Sequence, residues 1–116
     1  MHTVVETPAF ISDAEALGMN GAERFEIVTF LAKNPDAGDV IAGTGGARKL
    51  RFSGKGKGKS GGYRVITFFT GATFPVFLLN ALAKNEKANL TKPECAALKK
   101  ILNAITAAYK KQRESK

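Results

Sequence analysis

The stretch "RKLRFSGKGKGKSGGYRVITFF", residues 48–69, contains two strand-like segments separated by a loop of glycine and lysine. Residues 48–52 alternate basic and apolar side chains, and a period of two predicts a strand with one cationic and one apolar face. Residues 63–69 are apolar on both faces after the second position, which is typical of a central strand. The segment "PVFLLNAL", residues 75–82, predicts a third strand, so the three strands should form an antiparallel meander.

The chain before this meander predicts one short strand, residues 3–7, and two helices. Thr7 and Pro8 can cap and begin the first helix, which Gly18 would end. A capping box formed by an asparagine and a glutamate predicts the start of the second helix, and an Asn-Pro pair predicts its end. The predicted capping box is formed by Asn20 and Glu23, and the Asn-Pro pair is Asn34 and Pro35. The apolar stripe of the first helix consists of Phe10, Ile11, Ala14 and Leu17, and that of the second helix consists of Phe25, Val28, Leu31 and Ala32.

The chain after the meander predicts one C-terminal helix. Thr91 and Glu94 have the spacing of a capping box. The helix should then turn one apolar stripe toward the core, with Tyr109 extending it. The stripe consists of Leu98, Ile101, Leu102, Ile105 and Tyr109.

Helices grouped at the two ends of a run of strands favour an α+β layer over alternating α/β units. We therefore predict a small, mainly antiparallel sheet with two N-terminal helices and a C-terminal helix. A length of 116 residues suits one domain, residues 1–116, whose polar tail at 111–116 should be frayed.

The net charge of +8 is concentrated in the middle of the chain. No acidic residue lies between Asp39 and Glu86, and the basic and acidic residues outside that interval balance. A segment of one charge sign indicates a polyanionic partner, most often a nucleic acid. The eight basic residues of the interval are Arg48, Lys49, Arg51, Lys55, Lys57, Lys59, Arg64 and Lys84.

Compartment and membrane association are constrained by three features. Residues 65–83 lack charge and could just span a bilayer, but their central "TGATFP" is turn chemistry, so a hairpin is favoured. Cys95 is the only cysteine and cannot form an internal disulfide, so we interpret it as a small buried side chain in a reducing compartment. The N-terminal "MHTVVETPAF" lacks the pattern of a signal peptide, and we expect the protein to be cytoplasmic.

The loop "SGKGKGKSGG", residues 53–62, has three possible functions. It ends like a phosphate-binding P-loop, but Ser53 occupies the position of the required first glycine, and a strand follows where a P-loop needs a helix. A solvated flexible linker remains an alternative. The third possible function is a mobile cationic edge that contacts a polyanion, because basic strands flank the loop.

The basic interval lacks the side chains on which most active sites depend. It contains no histidine, aspartate, glutamate or cysteine, and the only histidine of the chain is His2, which we expect to be disordered. A metal site, a Ser-His-Asp triad and a two-carboxylate site are therefore disfavoured, and we predict no cofactor. Cations alone can promote attack of an RNA 2′-hydroxyl on the adjacent phosphate, because arginine stabilises phosphoryl charge and a lysine among other cations has a lowered pKa.

Two long stretches carry a resemblance to a known family. Residues 38–66, "GDVIAGTGGARKLRFSGKGKGKSGGYRVI", and 78–91, "LLNALAKNEKANLT", closely resemble the HigB-type branch of the RelE/ParE toxin superfamily, and the likeness extends over about 22–110. The resemblance implies a small α+β domain, distantly like microbial ribonucleases, that is the toxin of a type II toxin–antitoxin module. Many members cleave mRNA in the ribosomal A site, are neutralised by a small antitoxin and repress their own operon as the complex.

The resemblance also implies a set of site residues. Two basic residues on the strand before the loop, the arginine of the "G-x-R" strand start and the lysine of the "x-K-N-E" turn would be catalytic. Leu82, Asn85 and Thr91 stand where relatives often carry an aromatic residue, an arginine and a tyrosine, which leaves a tyrosine acid or base without support. The predicted catalytic residues are Arg64, Lys84, Lys49 and Arg51, and those predicted to bind RNA or the ribosome are Arg48, Lys55, Lys57, Lys59, Tyr63 and Lys87.

Two of these expectations have an alternative at the residue level. Tyr63 could stack on a base, or it could pack at the edge of a strand. Tyr109 extends the stripe of the C-terminal helix and is expected in the core rather than in the site.

Three functions fit these features of the sequence. The first is a ribosome-dependent endoribonuclease that cleaves translated mRNA, with an antitoxin of helix-turn-helix type, HigA-like, as partner and operator DNA bound only through the complex. The second is a ParE-like poison of DNA gyrase, and the third is a non-catalytic nucleic-acid-binding protein whose binding would be salt-sensitive.

Overall fold

The computed structural model describes residues 2–52, 62–71, 74–83 and 90–114, with side chains as far as Lys110. Within those ranges three helices pack on a five-stranded sheet of order β1-β5-β4-β3-β2, in which β1 is parallel to β5 and the other neighbours are antiparallel. This confirms the predicted α+β class. The elements are β1 (Val4–Glu6), α1 (Pro8–Ala16), α2 (Gly21–Lys33), β2 (Asp39–Val40), β3 (Ala47–Phe52), β4 (Tyr63–Phe68), β5 (Val76–Ala83) and α3 (Lys92–Glu114).

The predicted helix starts are confirmed by their hydrogen bonds. The Thr7 hydroxyl accepts from the Phe10 N–H at 3.2 Å and donates to the Leu78 carbonyl at 2.7 Å, so the cap also ties α1 to β5. In α2, Asn20 and Glu23 exchange the two bonds of a capping box at 2.8 and 3.0 Å. Each cap therefore fixes the point at which a helix leaves the sheet.

The start of α3 and the end of α1 also follow prediction. Thr91 and Glu94 exchange capping-box bonds at 2.8 and 3.3 Å. Gly18 ends α1 with φ +75°, a left-handed conformation that glycine adopts without strain. The predicted frayed tail, 111–116, overlaps the last turn of α3, and its fraying stays a prediction.

The two faces of the sheet have separate cores. We call the side covered by α1 and α2 the α1/α2 face and the side on which α3 packs the α3 face. The α1/α2 face buries Phe10, Ala14, Met19, Ile27, Leu31, Tyr63, Val65, Val76, Leu78 and Ala81. The α3 face buries Ala47, Ile66, Phe68, Leu79, Leu98 and Leu102.

Two residues of the predicted helix stripes are not in the core. Phe25 is 71% exposed, and Ile27 is buried in its place, because the inward face of α2 is set by Glu23, Ile27 and Leu31 at intervals of four. Ile101 is 51% exposed, since it lies at the flank of the line formed by Leu98 and Leu102. In both helices the predicted period is correct, and the error lies in which positions face inward.

The strand β2 lies where the sequence predicts only a glycine-rich connection. Its residues Asp39 and Val40 pair with Lys49 and Arg48. Gly38 makes this approach possible, since its φ is +98° and a Cβ there would lie 2.6 Å from the Lys49 carbonyl oxygen. Two exposed residues are too short a stretch to show a strand period.

Three smaller predictions concern single residues. His2 is ordered rather than disordered, because its N–H donates to the Ala32 carbonyl at 2.9 Å and its ring meets Phe69 edge-on. Cys95 is half-buried, not buried, and lies beside Gly43. Tyr109 is half-buried against other aromatic rings, as expected of a core position.

The uncharged stretch 65–83 forms a hairpin in its described residues, as predicted, since β4 and β5 pair antiparallel. None of the helices in the described ranges combines the length and the hydrophobicity that crossing a bilayer requires.

Candidate nucleic-acid interface

The register of β3 and β4 brings three of the predicted catalytic cations together. Arg51 pairs directly with Arg64, and Lys49 pairs with Ile66 one step further along the same face. Residues opposite each other in a sheet project to the same side, and Ile66 belongs to the core of the α3 face. Lys49, Arg51 and Arg64, which we call the cationic row, therefore occupy the α3 face.

The cationic row is electrostatically unfavourable by itself. Arg51 and Arg64 are like charges at directly opposed positions, an arrangement that destabilises a sheet. Within the described part of the chain none of the three forms an ion pair, and the salt bridge found there joins Arg24 to Glu6 at 3.0 Å instead. Arg51 is exposed and the other two are half-buried, so all three can meet a ligand from solvent.

A bulge in β5 extends the site beyond the cations. Thr67 pairs with Leu78 and Ile66 with Asn80, which leaves Leu79 as an extra residue. The bulge lets Leu79 enter the core of the α3 face and also directs Asn80 to that face, opposite Ile66. Leu82, opposite Arg64, follows two residues later.

These β5 residues form one wall of a groove against the first turns of α3. The groove has a volume of about 520 Å³. Its floor and walls are mainly apolar, and two carboxylates and one amide line it. The lining residues are Asp13, Ile66, Asn80, Leu82, Leu90, Glu94, Ala97, Leu98 and Ile101.

Asp13 anchors the polar side of the groove. One of its carboxylate oxygens accepts from both the Asn80 side-chain amide and the Ala81 backbone N–H, each at 3.0 Å. Beyond the end of β1, this carboxylate from α1 therefore takes the place of a strand partner for a β5 backbone donor. The bond also fixes the orientation of the Asn80 amide.

Two other predicted binding residues lie on the opposite side of the sheet. Arg48 pairs with Thr67, and its guanidinium donates to the Gly38 carbonyl at 3.0 Å, which ties β3 to the start of β2. Tyr63 is only 6% exposed and belongs to the core of the α1/α2 face. The packing alternative for Tyr63 is therefore the one that the structure favours, and base stacking would require it to leave the core.

The Tyr63 hydroxyl faces the buried carboxylate of Glu23. It lies 3.4 Å from each carboxylate oxygen. Burial, and then the negative charge and hydrogen bonding of Glu23, raise the pKa of Tyr63 above its ordinary value. The Tyr63 hydroxyl therefore donates a hydrogen bond to Glu23 and connects α2 to the first residue of β4.

The remaining predicted site residues lie outside the described residues. They are the predicted catalytic Lys84 and the predicted ribosome-binding Lys55, Lys57, Lys59 and Lys87. Sequence reasoning does not single out Asn80, Asp13 or Ile101 as site residues. Their placement depends on the β5 bulge and the phase of α3, which no local pattern indicates.

The fold agrees with the class that the sequence resemblance implied, the RelE/ParE toxin superfamily. The family model described as "RelE toxin of RelE / RelB toxin-antitoxin system" matches residues 32–115. That range runs from the end of α2 through the whole of α3 and contains the cationic row. The chain belongs to this RelE toxin family, and a toxin of such a system has a cognate antitoxin as its partner.

Proposed function

We propose that the protein is a HigB-type toxin that acts as a ribosome-dependent endoribonuclease and inhibits translation by cleaving translated mRNA in the A site. The observation that carries the proposal is the like-charge pair of Arg51 and Arg64, with Lys49 beside it, on an accessible sheet face. A fold keeps such an unfavourable pair when an anionic ligand neutralises it.

The chemistry needs only groups of the kind that this row offers. The 2′-hydroxyl of one nucleotide attacks the adjacent phosphate, the bond from phosphorus to the 5′-oxygen breaks, and a 2′,3′-cyclic phosphate remains. One proton leaves the 2′-hydroxyl and another reaches the departing 5′-oxygen. Arg64 would stabilise the charge on the phosphoryl oxygens by a bidentate contact, and Arg51 would add a second cation.

Lysines would supply the remaining functions. Lys49 would orient the phosphate or transfer a proton, and Lys84 would share that role. Lys55, Lys57 and Lys59, with Lys87 and Arg48, would contact ribosomal RNA and mRNA and set the affinity for the ribosome rather than the chemical step. Binding of this kind weakens as salt rises.

The cognate antitoxin in this proposal is a HigA-like protein with a helix-turn-helix domain. Operator DNA would be bound through the toxin–antitoxin complex. A ParE-like poison of DNA gyrase is the alternative on the same fold, but poisoning a protein target does not require a row of like-charged side chains on a sheet face.

The test is primer extension on a translated mRNA, comparing wild type with Arg64→Ala. We expect cleavage to fall by about 10²–10³-fold, because a preorganised charge-stabilising donor is lost. Arg64→Lys should restore only part of the activity, since lysine keeps the charge and loses the bidentate fork. Arg24→Ala is the matched control, because Arg24 lies in an ion pair with Glu6 away from the cationic row and should retain full cleavage.

Two results would contradict the proposal. Full cleavage by Arg64→Ala, with wild-type folding and antitoxin binding, would remove Arg64 from the active site. Gyrase-dependent DNA breaks without cut mRNA in cells that express the wild type would favour the ParE-like alternative.

A further inference from the structure

The short strand β2 carries an acidic residue on the face of the cationic row. Asp39 pairs directly with Lys49, and residues opposite each other in a sheet project to the same side. The Ile41 N–H donates to the Ala47 carbonyl at 2.8 Å, so the pairing with β3 continues beyond β2. Ile41 packs against the core of the α3 face, and side chains two residues apart share a side. Both observations place Asp39 on the α3 face, at the end of the cationic row.

The Asp39 carboxylate is available to a ligand. The residue is exposed, and in the described part of the chain neither a hydrogen bond nor an ion pair engages its side chain. Other carboxylates have structural partners there, since Glu6 binds Arg24, Asp13 accepts from β5 and Glu23 completes the cap of α2. A carboxylate that only balanced the charge of the row would be expected to form an ion pair with it.

The backbone at Asp39 is held firmly against β3. The preceding residue, Gly38, approaches so closely that a Cβ there would lie 2.6 Å from the Lys49 carbonyl oxygen. The Arg48 guanidinium donates to the Gly38 carbonyl at 3.0 Å and secures the same point. These contacts fix Asp39 relative to Lys49. Proton transfer requires such placement, because the accepting atom must come within about 2.6–3.2 Å of the donor oxygen.

The spacing of the strands brings Asp39 within reach of a nucleotide bound at the row. Neighbouring strands lie about 4.8 Å apart, and two residues along a strand span about 6.6 Å. Lys49 is one strand away from Asp39, and Arg51 follows two residues further along β3. An ionised carboxylate accepts hydrogen bonds and donates none, so it suits a hydroxyl and not a phosphate oxygen. The cations therefore attract the phosphate, and Asp39 faces the sugar beside it.

We propose that Asp39 is a catalytic residue that accepts the proton of the attacking 2′-hydroxyl. The inference rests on the proposed endoribonuclease function. The carboxylate takes the proton as the 2′-oxygen bonds to phosphorus, the bond from phosphorus to the 5′-oxygen breaks, and the Lys49 ammonium gives a proton to the departing oxygen. Asp39 is then protonated and Lys49 neutral. Because the two residues are opposite each other, a proton passes from the acid to the amine and restores both.

The experiment measures single-turnover cleavage of mRNA on programmed ribosomes, with the toxin in excess. Asp39→Asn should slow cleavage by about 10²-fold or more, because the proton acceptor is lost. Asp36→Asn is the matched control, since it removes the same charge from an exposed residue in the turn before β2 and should keep the wild-type rate. Asp39→Glu retains a carboxylate and should recover part of the rate.

Affinity for the ribosome separates a proton acceptor from a binding residue. Removing a negative charge beside the RNA backbone lowers repulsion, so Asp39→Asn should bind ribosomes at least as tightly as the wild type while it cleaves slowly. Arg64→Ala should instead weaken both binding and cleavage. Thermal unfolding of Asp39→Asn should match the wild type, because the side chain is exposed and unbonded within the described residues.

A modified mRNA distinguishes the proton acceptor from the proton donor. When sulfur replaces the departing 5′-oxygen at one bond, the leaving group no longer depends on a proton. Lys49→Ala should then regain most of its cleavage rate at that bond. Asp39→Asn should remain slow, since the attacking 2′-hydroxyl still has to lose its proton.

Each other outcome overturns the inference. Cleavage by Asp39→Asn at the wild-type rate would remove Asp39 from the reaction. A slow rate accompanied by an equal loss of ribosome affinity or by a lower unfolding temperature would make Asp39 a binding or structural residue. Recovery of Asp39→Asn on the sulfur substrate would assign it to the leaving group. If the wild type itself cleaves no mRNA, the proposed function fails, and that result does not depend on any variant.

Discussion

The two faces of the sheet differ in how many apolar side chains they bury and in whether their charged side chains are buried or accessible. Among the described residues, the core of the α1/α2 face contains ten buried apolar side chains, and the buried acid Glu23 is bonded to the Asn20 backbone and lies against Tyr63. In the described residues of the α3 face, four buried apolar side chains of the sheet pack against Leu98 and Leu102 of α3, and the same face carries the cationic row and the groove. The first face therefore contributes mainly to the core, while the second leaves part of its area accessible to solvent.

This difference explains why Arg51 and Arg64 can face each other. A sheet with both faces fully covered could not expose two like charges to solvent. Because α1 and α2 provide most of the core on one side, the other side can tolerate an unfavourable pair. Variants on the two faces should consequently change different observables.

The largest effect is expected from the α1/α2 face. Phe10→Ala should lower the free energy of unfolding by about 3–5 kcal/mol, because Phe10 is fully buried and its loss leaves a cavity. Phe25→Ala is the matched control, and since Phe25 is 71% exposed its effect should stay within about 0.5 kcal/mol. Urea unfolding followed by circular dichroism measures both, and equal effects would contradict the burial of Phe10 in α1 and the exposure of Phe25 in α2.

A smaller effect on stability is expected from the contact between Tyr63 and the Glu23 carboxylate on that same face. Tyr63→Phe should cost about 1 kcal/mol at neutral pH, because the buried Glu23 carboxylate loses a donor. The pKa of Tyr63 is raised in the folded state, so its contribution to stability is present below about pH 10 and is lost as the pH rises above 10.

The pH dependence provides the control for that prediction. Tyr109→Phe should keep the alkaline loss of stability, whereas Tyr63→Phe should reduce it. Unfolding measured at neutral pH and above pH 10 compares the two variants, and an alkaline slope that is identical in Tyr63→Phe and wild type would contradict the raised pKa of Tyr63, which burial and the Glu23 contact cause.

The smallest effect has the opposite sign and lies on the α3 face. Arg51→Gln should raise the free energy of unfolding by about 0.2–1 kcal/mol, since it removes a like-charge pair, and it should also reduce mRNA cleavage. Arg24→Gln removes an ion pair instead and should lower stability by up to about 1 kcal/mol. A loss of stability in Arg51→Gln would indicate that the guanidinium supports the fold.

Much of the fold is predictable because its signals are local. The caps at Thr7, Asn20 and Thr91 and the alternation in β3 depend on neighbouring residues, and each is confirmed. The sequence places Phe25 and Ile101 in the core because a helix of mixed composition permits more than one phase. It does not reveal β2, because two residues, held by Gly38 and Arg48, have no period.

Part of the candidate site is also predictable, because the signals for that part are local. Alternation places Lys49 and Arg51 on one face, and the hairpin places Arg64 near them. The direct pairing of Arg51 with Arg64 requires the register, which residue types alone do not fix. The groove requires the β5 bulge and the reach of Asp13 from α1, and both depend on the assembled tertiary structure.

The parallel pairing of Val4 with Val76 has a consequence for the order of folding. The strands β3, β4 and β5 follow one another in the chain, so their contacts close short loops, whereas β1 can dock only after β5 has been synthesised. We therefore expect the β3–β4 hairpin, which carries the cationic row, to form before β1 docks on β5 and completes the α1/α2 core.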